Sequence, residues 1–355
     1  MQIDLVTYIC LESMDSLTQI VLGAACGEVA MGKRIGNKAM LFGAIGGTIP
    51  DLDVFVGRLF YSNEIDINAF HRGFMHSIVF AFIGAFIFGW LVYKLYDKGK
   101  RRHGTTQLHH WRWLFFLSIF THPLLDSFTP YGTQLFLPFS DYRVAFNTIS
   151  VVDPLYTIPF LLSLIIAMFF KRQHKWRKAL VRIGMFISSF YLTLTVINKI
   201  YIDSVFRKTL KEKNIDFIRF QAQPSIFNNI LWYGIAETEN SYHAAYYSLF
   251  DRKTEFSNWQ ELPKNHDLLP LDHPDVETLA WFSNHYFNVL KIEGESDQYR
   301  YNDLRYPLLN ADDPNSSVFS FTIYKDDDRW NVLPFSGKPP SREDFDIFLK
   351  RIKGI

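Results

Sequence analysis

The chain has 355 residues, which is enough for two domains. Its formal net charge of +1 at pH 7 provides no global field that would favour nucleic acid as a partner. Its two cysteines, Cys10 and Cys26, are too few for a disulfide framework.

The average composition hides a division of the chain into parts. Long apolar runs fill residues 16–203, whereas residues 204–355 have the composition of a soluble domain. Residues 1–13 lack the basic region of a signal peptide, and Met14 looks like a more natural start. We therefore predict a transmembrane domain at 14–203 and a second domain at 204–355. Residues 1–13 are then either a short N-terminal extension or lie upstream of the true start.

Six apolar segments follow one another in the first part. The third has the length of a membrane-spanning helix and is the strongest candidate, whereas the first two are short or interrupted and are open to tilted, re-entrant or interfacial placement. The first two also contain Gly23-x-x-x-Gly27 and Gly43-x-x-x-Gly47, a spacing that lets helix backbones approach closely in lipid. The six segments are 17–31, 39–60, 77–96, 111–128, 154–170 and 181–202.

Basic residues are distributed unevenly among the connections. Fifteen lysines and arginines lie in 32–38, 94–112 and 171–182, whereas the alternate connections at 57–76 and 129–153 hold three. The positive-inside rule places the basic set in the cytoplasm, so six crossings leave residues 204–355 outside. The same topology brings the following polar residues to the outer ends of their segments: Asp15, Asp51, Asp53, His71, His76, His122 and Asp126.

The second part contains aromatic and alternating stretches that are typical of β-strands. We predict strands at 217–220, 230–235, 242–250 and 318–324, with a return strand at 330–335 and a helix from Ser341 onward. The predicted fold class is therefore an α-helical transmembrane bundle of about six segments, followed by a small α+β extramembrane domain.

Three polar motifs carry the candidate chemistry. His122 and Asp126 are spaced i, i+4 and share one helix face, where they can bind one ion; a hydrogen-bonded helix end is the alternative. At membrane depth ionisable groups are costly and usually functional, which favours the ion site. Asp51 and Asp53 flank Leu52, so both carboxylates can face one ion, with a capped turn after Pro50 as the alternative.

The third motif is the stretch from His71 to Ser77. It suits a loop that enters a helix, with His71 on the loop, His76 in the first turn, and Gly73 freeing the backbone between them. Arg72, between the two histidines, can bind a phosphate or another anion through paired donors, or can contact a lipid headgroup. We predict as metal ligands Asp51, Asp53, His71, His76, His122 and Asp126.

This mixed nitrogen and oxygen ligand set favours Zn²⁺ or a similar divalent ion, with one or two ions in the site. Such sites activate water and clamp the oxygens of a phosphoester. An ion- or proton-coupled transporter is an alternative function, although the polar residues crowd one end of the segments and no paired halves are evident. A non-enzymatic, metal-stabilised membrane scaffold is a third hypothesis.

The Pro50–Asp53 motif, the His71–Ser77 motif, and the stretch from Thr121 to Gly132 resemble a family of bacterial membrane-bound, metal-dependent hydrolases, first noted as LexA-regulated inner-membrane proteins. The resemblance covers about residues 14–170. It implies a bacterial inner-membrane protein, and a more distant similarity to zinc-dependent phospholipase C and P1 nuclease implies phosphoester substrates. The family often has a Thr-His pair where this chain has Thr18-Gln19, so either Asp15 substitutes or that coordination position is lost.

The sequence thus predicts a multi-pass inner-membrane protein with a metal-dependent hydrolase site at the outer face. Arg72 and Asp15 are assigned catalytic roles, with Arg72 orienting an anionic substrate. The expected partners are membrane lipid and a lipid-linked or phosphoester substrate, with no nucleic acid.

Overall fold

Residues 4–97, 105–295, 297–307, 317, 319–334 and 342–355 are described by the structure, a computed structural model. Contacts divide the chain into two units. The N-terminal unit contains Thr7–Val56 and Phe70–Val196, and the C-terminal unit contains Gly57–Ala69 and Ile197–Ile355. The segment Gly57–Ala69 therefore belongs with residues that lie far from it in sequence.

The N-terminal unit is helical, and two short 3₁₀ turns at Pro50–Leu52 and Phe74–His76 interrupt its helices. A π-helical turn at Tyr93–Asp97 extends one of the helices. The helices of the first 212 residues are α1 (Asp4–Ile35), α2 (Asn37–Thr48), α3 (Asp53–Phe60), α4 (Glu64–Phe70), α5 (Ile78–Val92), α6 (Leu108–Asp126), α7 (Pro154–Met168) and α8 (Lys175–Glu212).

The predicted transmembrane bundle of about six segments is wrong. By length and composition, two helical stretches within the described residues can cross a membrane, Ile78–Asp97 and Lys175–Glu212. A third is possible if the pair Asn37–Thr48 and Pro50–Phe60, which is bent by 44°, forms one span.

The other apolar segments fail for identifiable physical reasons. Helix α7 has 15 residues, and at 1.5 Å per residue it is shorter than the roughly 30 Å hydrocarbon core of a bilayer. Helix α6 begins with His109, His110 and Arg112 and ends with an acidic residue, so its apolar stretch is diluted. Helix α1 carries charged residues in its second half, including Glu28 and Lys33.

Helices α1 and α2 pack backbone against backbone through the two predicted glycine pairs. A Cβ atom added at Gly47 would lie 2.6 Å from the carbonyl oxygen of Gln19, and one added at Gly23 would lie 2.9 Å from the Cα of Gly47. Such distances exclude a side chain, which confirms the close approach predicted from the spacing. The contact fixes the end of α2 beside the middle of α1.

The C-terminal unit contains two four-stranded antiparallel sheets, each with strands in sequential order. Helices α9 (Pro274–Phe282) and α10 (Arg342–Ile352) follow the first sheet and the second sheet. The first sheet consists of β1 (Arg219–Pro224), β2 (Leu231–Glu237), β3 (Ser241–Ser248) and β4 (Ser257–Pro263). The second consists of β5 (Phe287–Lys291), β6 (Gln298–Asp303), β7 (Ser320–Asp326) and β8 (Arg329–Pro334).

Strands β1, β2, β3, β7 and β8 lie where the sequence predicted strands, and α10 confirms the C-terminal helix. Strands β4, β5 and β6 and helix α9 were not predicted. Ser341, the predicted first residue of the last helix, lies outside the described residues.

Candidate metal centre

The Pro-Asp-Leu-Asp motif forms the bend between α2 and α3. Pro50 is the first residue of the 3₁₀ turn, where its missing N–H group costs nothing, and Asp53 begins α3. The Asp53 side chain is 1% exposed, whereas that of Asp51 is 29% exposed. The motif therefore presents one buried and one accessible carboxylate.

The His71–Ser77 motif lies between α4 and α5. Arg72 has a backbone φ of 58°, a left-handed conformation, and two hydrogen bonds hold it there: its N–H donates to Asp53 Oδ2 (2.9 Å) and its carbonyl accepts from the N–H of Gln134 (3.0 Å). Ser77 caps α5 by accepting from the N–H of Phe80. This path buries His76 completely at the start of α5.

His122 and Asp126 lie one turn apart at the end of α6, and each side chain is 1% exposed. Helix α6 thus brings an imidazole and a carboxylate to the same face, as the i, i+4 spacing predicted.

Three side chains from these motifs converge on one point. The distance between His76 Nε2 and His122 Nε2 is 3.2 Å, and Asp51 Oδ1 lies 3.4 Å from the first nitrogen and 3.2 Å from the second. Around a tetrahedral zinc ion with bonds of about 2.0–2.1 Å, neighbouring ligand atoms are about 3.3–3.4 Å apart. Asp51, His76 and His122 therefore have the spacing of three ligands of one ion.

The other ring nitrogen of each histidine lies near an oxygen atom. His122 Nδ1 lies 2.5 Å from the carbonyl oxygen of Gly47, and His76 Nδ1 lies 3.0 Å from Asp53 Oδ2. A neutral imidazole that donates from Nδ1 has its lone pair at Nε2, which is the usual arrangement of metal-binding histidines. Two such lone pairs facing each other would be stabilised by a cation between them, which a metal ion or a proton can supply.

Charge around His76 favours a cation as well. Burial by itself would lower the pKa of His76, but the carboxylates of Asp53 and Asp51 outweigh burial and raise that pKa above its usual value. The group of residues is therefore acidic enough to stabilise positive charge at the imidazoles.

Asp126 contributes a further oxygen to this group. Its Oδ2 atom lies 3.3 Å from His122 Nε2 and 3.5 Å from His76 Nε2, and it is buried with no hydrogen bond to the described residues. Its Oδ1 atom accepts from Gln19 Nε2 at 2.6 Å. An orphaned buried carboxylate oxygen beside two imidazoles fits a site that holds a metal ion or a proton.

Two of the six predicted ligands lie outside this group. Asp53 accepts from the backbone of Arg72 and contacts the Nδ1 atoms of His71 (2.8 Å) and His76 (3.0 Å). It joins His71 to His76, as a carboxylate that orients metal-binding histidines does.

The structure describes the side chain of one of the two residues with predicted catalytic roles, and it tests neither role. Arg72 is buried, its Nε atom lies 3.6 Å from Asp126 Oδ2, and its NH1 group donates to Thr129 Oγ1 at 3.1 Å. The side chain of Asp15 lies outside the described part of the chain, so its predicted role stays a prediction.

Sequence reasoning missed several contributors to this site. The guanidinium groups of Arg72 and Arg143 lie 4.7 Å and 5.2 Å from the ring centre of Tyr131, and Arg143 also donates to the carbonyl oxygen of Gly132 (3.2 Å). Arg143 is one of only three basic residues in the connections 57–76 and 129–153. Because basic residues are so scarce there, this position could have been recognised as a candidate. The backbone carbonyl of Gly47 gave no signal in the sequence, since every residue has a backbone carbonyl.

Comparison with known proteins gives a consistent result. A family model described as "YdjM inner membrane protein" matches residues 14–201. The uncharacterized protein YfhP of Bacillus subtilis (strain 168) is 31% identical over 160 residues, which are 43% of this chain and 46% of that protein. The chain thus spans about half the length of that relative. No solved structure matches the chain.

Proposed function

The chain belongs to the YdjM inner membrane protein family, and we propose that it is a membrane-bound hydrolase that depends on a divalent metal, zinc. The proposed substrate is a phosphoester or lipid-type molecule at the outer face of the inner membrane. The mutual spacing of Asp51 Oδ1, His76 Nε2 and His122 Nε2, at 3.2 to 3.4 Å, carries this proposal. A divalent ion in such a site makes water acidic enough to act as a nucleophile near neutral pH.

The surrounding residues have separate tasks in this proposal. Asp53 and the Gly47 carbonyl hold the two imidazoles so that their Nε2 atoms face the ion. Asp126 Oδ2, within 3.5 Å of both Nε2 atoms, would be a further ligand of the ion. The Asp51 side chain is partly exposed, and substrate reaches the group of ligands from this side.

The arginines support an anionic substrate. Arg72 and Arg143 both lie against the Tyr131 ring, and Arg72 reaches Asp126 at the metal group. Guanidinium groups recognise phosphate oxygens through paired N–H donors, so this pair suits a phosphoester better than a neutral ester or amide.

Charge also supports an outward orientation for the C-terminal unit. Each candidate span carries a basic residue at one particular end: Lys38 near the start of α2, Lys94 in the π-helical turn after α5, and Lys175 at the start of α8. If these ends are cytoplasmic, the end of α8 that leads into Ile197–Ile355 is extracytoplasmic. The orientation follows from three spans and does not depend on a six-segment bundle.

The test uses full-length protein purified in detergent. His76→Ala and His122→Ala are expected to lose bound transition metal in elemental analysis and turnover on a panel of phospholipids and soluble phosphoesters. His109→Ala is the matched control, because it is an exposed histidine on the same helix as His122. Wild-type protein that carries no transition metal, with both variants unchanged, overturns the proposal. Bound metal without turnover on any of these substrates would instead support the metal-stabilised scaffold.

A further inference from the structure

We propose that the C-terminal unit positions the metal-binding residues, because it holds the stretch of chain that joins Asp53 to His71. This inference rests on the proposed function, because positioning matters only if these residues bind a metal ion. The contacts that support it are separate from those of the metal site. Ile65 and Asn63 are its positioning residues.

The two ends of the stretch are tied together in the N-terminal unit. Asp53 Oδ1 lies 2.8 Å from His71 Nδ1, and Asp53 Oδ2 accepts from the N–H of Arg72 at 2.9 Å. The same carboxylate contacts His76 Nδ1 at 3.0 Å. A shift of Asp53 relative to His71 therefore also shifts His76, a candidate metal ligand.

The middle of the stretch is built into the core of the C-terminal unit. Ile65 is 1% exposed and packs in one hydrophobic cluster with residues of α9 and the second sheet, among them Val276, Leu279 and Trp330. Asn63 Nδ2 donates to the carbonyl oxygen of Trp330 at 2.8 Å, and the N–H of Glu64 donates to Asn331 Oδ1 at 3.1 Å. The cluster and both hydrogen bonds come from residues more than 200 positions away in sequence.

Helix α4 transmits this anchoring to the metal motif. It has seven residues, too few for an isolated helix to be stable in water, so its conformation depends on the core that holds Ile65. Its last residue, Phe70, precedes His71 directly and accepts from the N–H of Gly73 at 3.0 Å. The last turn of α4 therefore leads directly into the backbone from His71 to His76.

Hydrogen exchange on the full-length protein in detergent tests the coupling without any metal. Ile65→Ala and the stronger Ile65→Asp should raise amide exchange in 57–69 and also in 71–77, where the Arg72 N–H is held by Asp53. Ile65→Val should restore protection in both stretches. Ile235→Ala is the matched control, since Ile235 is also 1% exposed in the C-terminal unit but lies in a different cluster.

Cobalt serves as the probe of the metal group. Ile65→Ala should weaken Co²⁺ binding at least tenfold and change its visible absorption spectrum, whereas Ile235→Ala should leave both unchanged. Release of 57–69 with unchanged exchange in 71–77 overturns the positioning role. If wild-type protein binds neither Co²⁺ nor Zn²⁺ but the exchange of 71–77 follows Ile65, the proposed function fails while the positioning role stands.

Discussion

At the scale of single residues, position 19 explains how the site accommodates a departure from its family pattern. Gln19 is 1% exposed, and its Nε2 donates to Asp126 Oδ1 at 2.6 Å and to the His122 carbonyl at 3.3 Å. The amide thus fixes the carboxylate that faces both imidazoles. A histidine at this position would have offered a ring nitrogen, whereas glutamine offers a donor to an existing acidic residue.

We expect Gln19→Ala to weaken metal binding by about 10- to 100-fold, the usual effect of losing a partner that orients a ligand. Competition with a chromophoric chelator measures this affinity. Thr18→Val is the control, because Thr18 is buried on the same helix but its hydroxyl contacts Thr157 instead of the site. Equal affinities for Gln19→Ala and wild type would contradict the role given to Gln19.

Single residues also show what sequence can predict about a site. The sequence identified four of these residues as candidates: Asp51, His76, His122 and Asp126. An ionisable side chain at the end of an apolar run costs free energy to bury, so such residues usually have a function. The distances between these side chains could not be predicted from sequence, since they depend on how three separate segments cross. The spacing of Asp53 and His71 resembled that of ligands, yet the fold places them beside the group of three.

At the scale of elements, a buried ion pair ties three helices together. Arg177 on α8 donates from Nε to Glu28 Oε1 on α1 (2.6 Å) and from NH2 to Glu28 Oε2 (2.5 Å), and its NH1 group reaches Asn37 Oδ1 on α2 (2.5 Å). The Arg177 and Glu28 side chains are 2% and 8% exposed. Paired donors of this kind also fix the relative orientation of the helices.

We expect Arg177→Leu to lower the free energy of unfolding by about 3–5 kcal/mol, because it leaves the Glu28 carboxylate buried without its partner. The double variant Glu28→Leu with Arg177→Leu should be destabilised less than the single variant. Denaturant unfolding in detergent measures both, with the exposed neighbour Lys178→Leu as the control. A double variant less stable than Arg177→Leu alone would show that the pair is not the source of the effect.

The elements were predicted unevenly for physical reasons. Apolar runs located the helices well, since burial in lipid or protein selects the same residues, but a run does not reveal how its helix ends or bends. Pro50 divides one predicted segment into two helices bent by 44°, and α7 proved too short to span. Strands β4, β5 and β6 escaped prediction because they are short and rich in polar residues, as in Gln298–Asp303.

At the scale of the whole molecule, the charge distribution predicts how the chain is oriented in the membrane. We expect a reporter that is active only outside the cytoplasm to be active when fused after Ile355 and inactive when fused at Lys100. The physical reason is the excess of lysine and arginine in 32–38, 94–112 and 171–182. The reverse pattern would place the metal motifs at the cytoplasmic face and would leave the basic connections unexplained.

The membership of the C-terminal unit could be predicted from sequence only in part. The change of composition near residue 203 predicted a second domain at 204–355, and the long segment of the observed unit begins at Ile197. Its inclusion of Gly57–Ala69 depends on contacts such as Ile65 with α9, which link distant parts of the chain and have no local signature.

The glycine contact between α1 and α2 also determines the order in which the protein is assembled. The carbonyl of Gly47, at this contact, is the acceptor for His122, which leaves the ribosome 75 residues later. His122 finds its acceptor in place only after α1 and α2 have packed together. An ion held by His122 in the proposed site would then bind only after α1 and α2 have packed together.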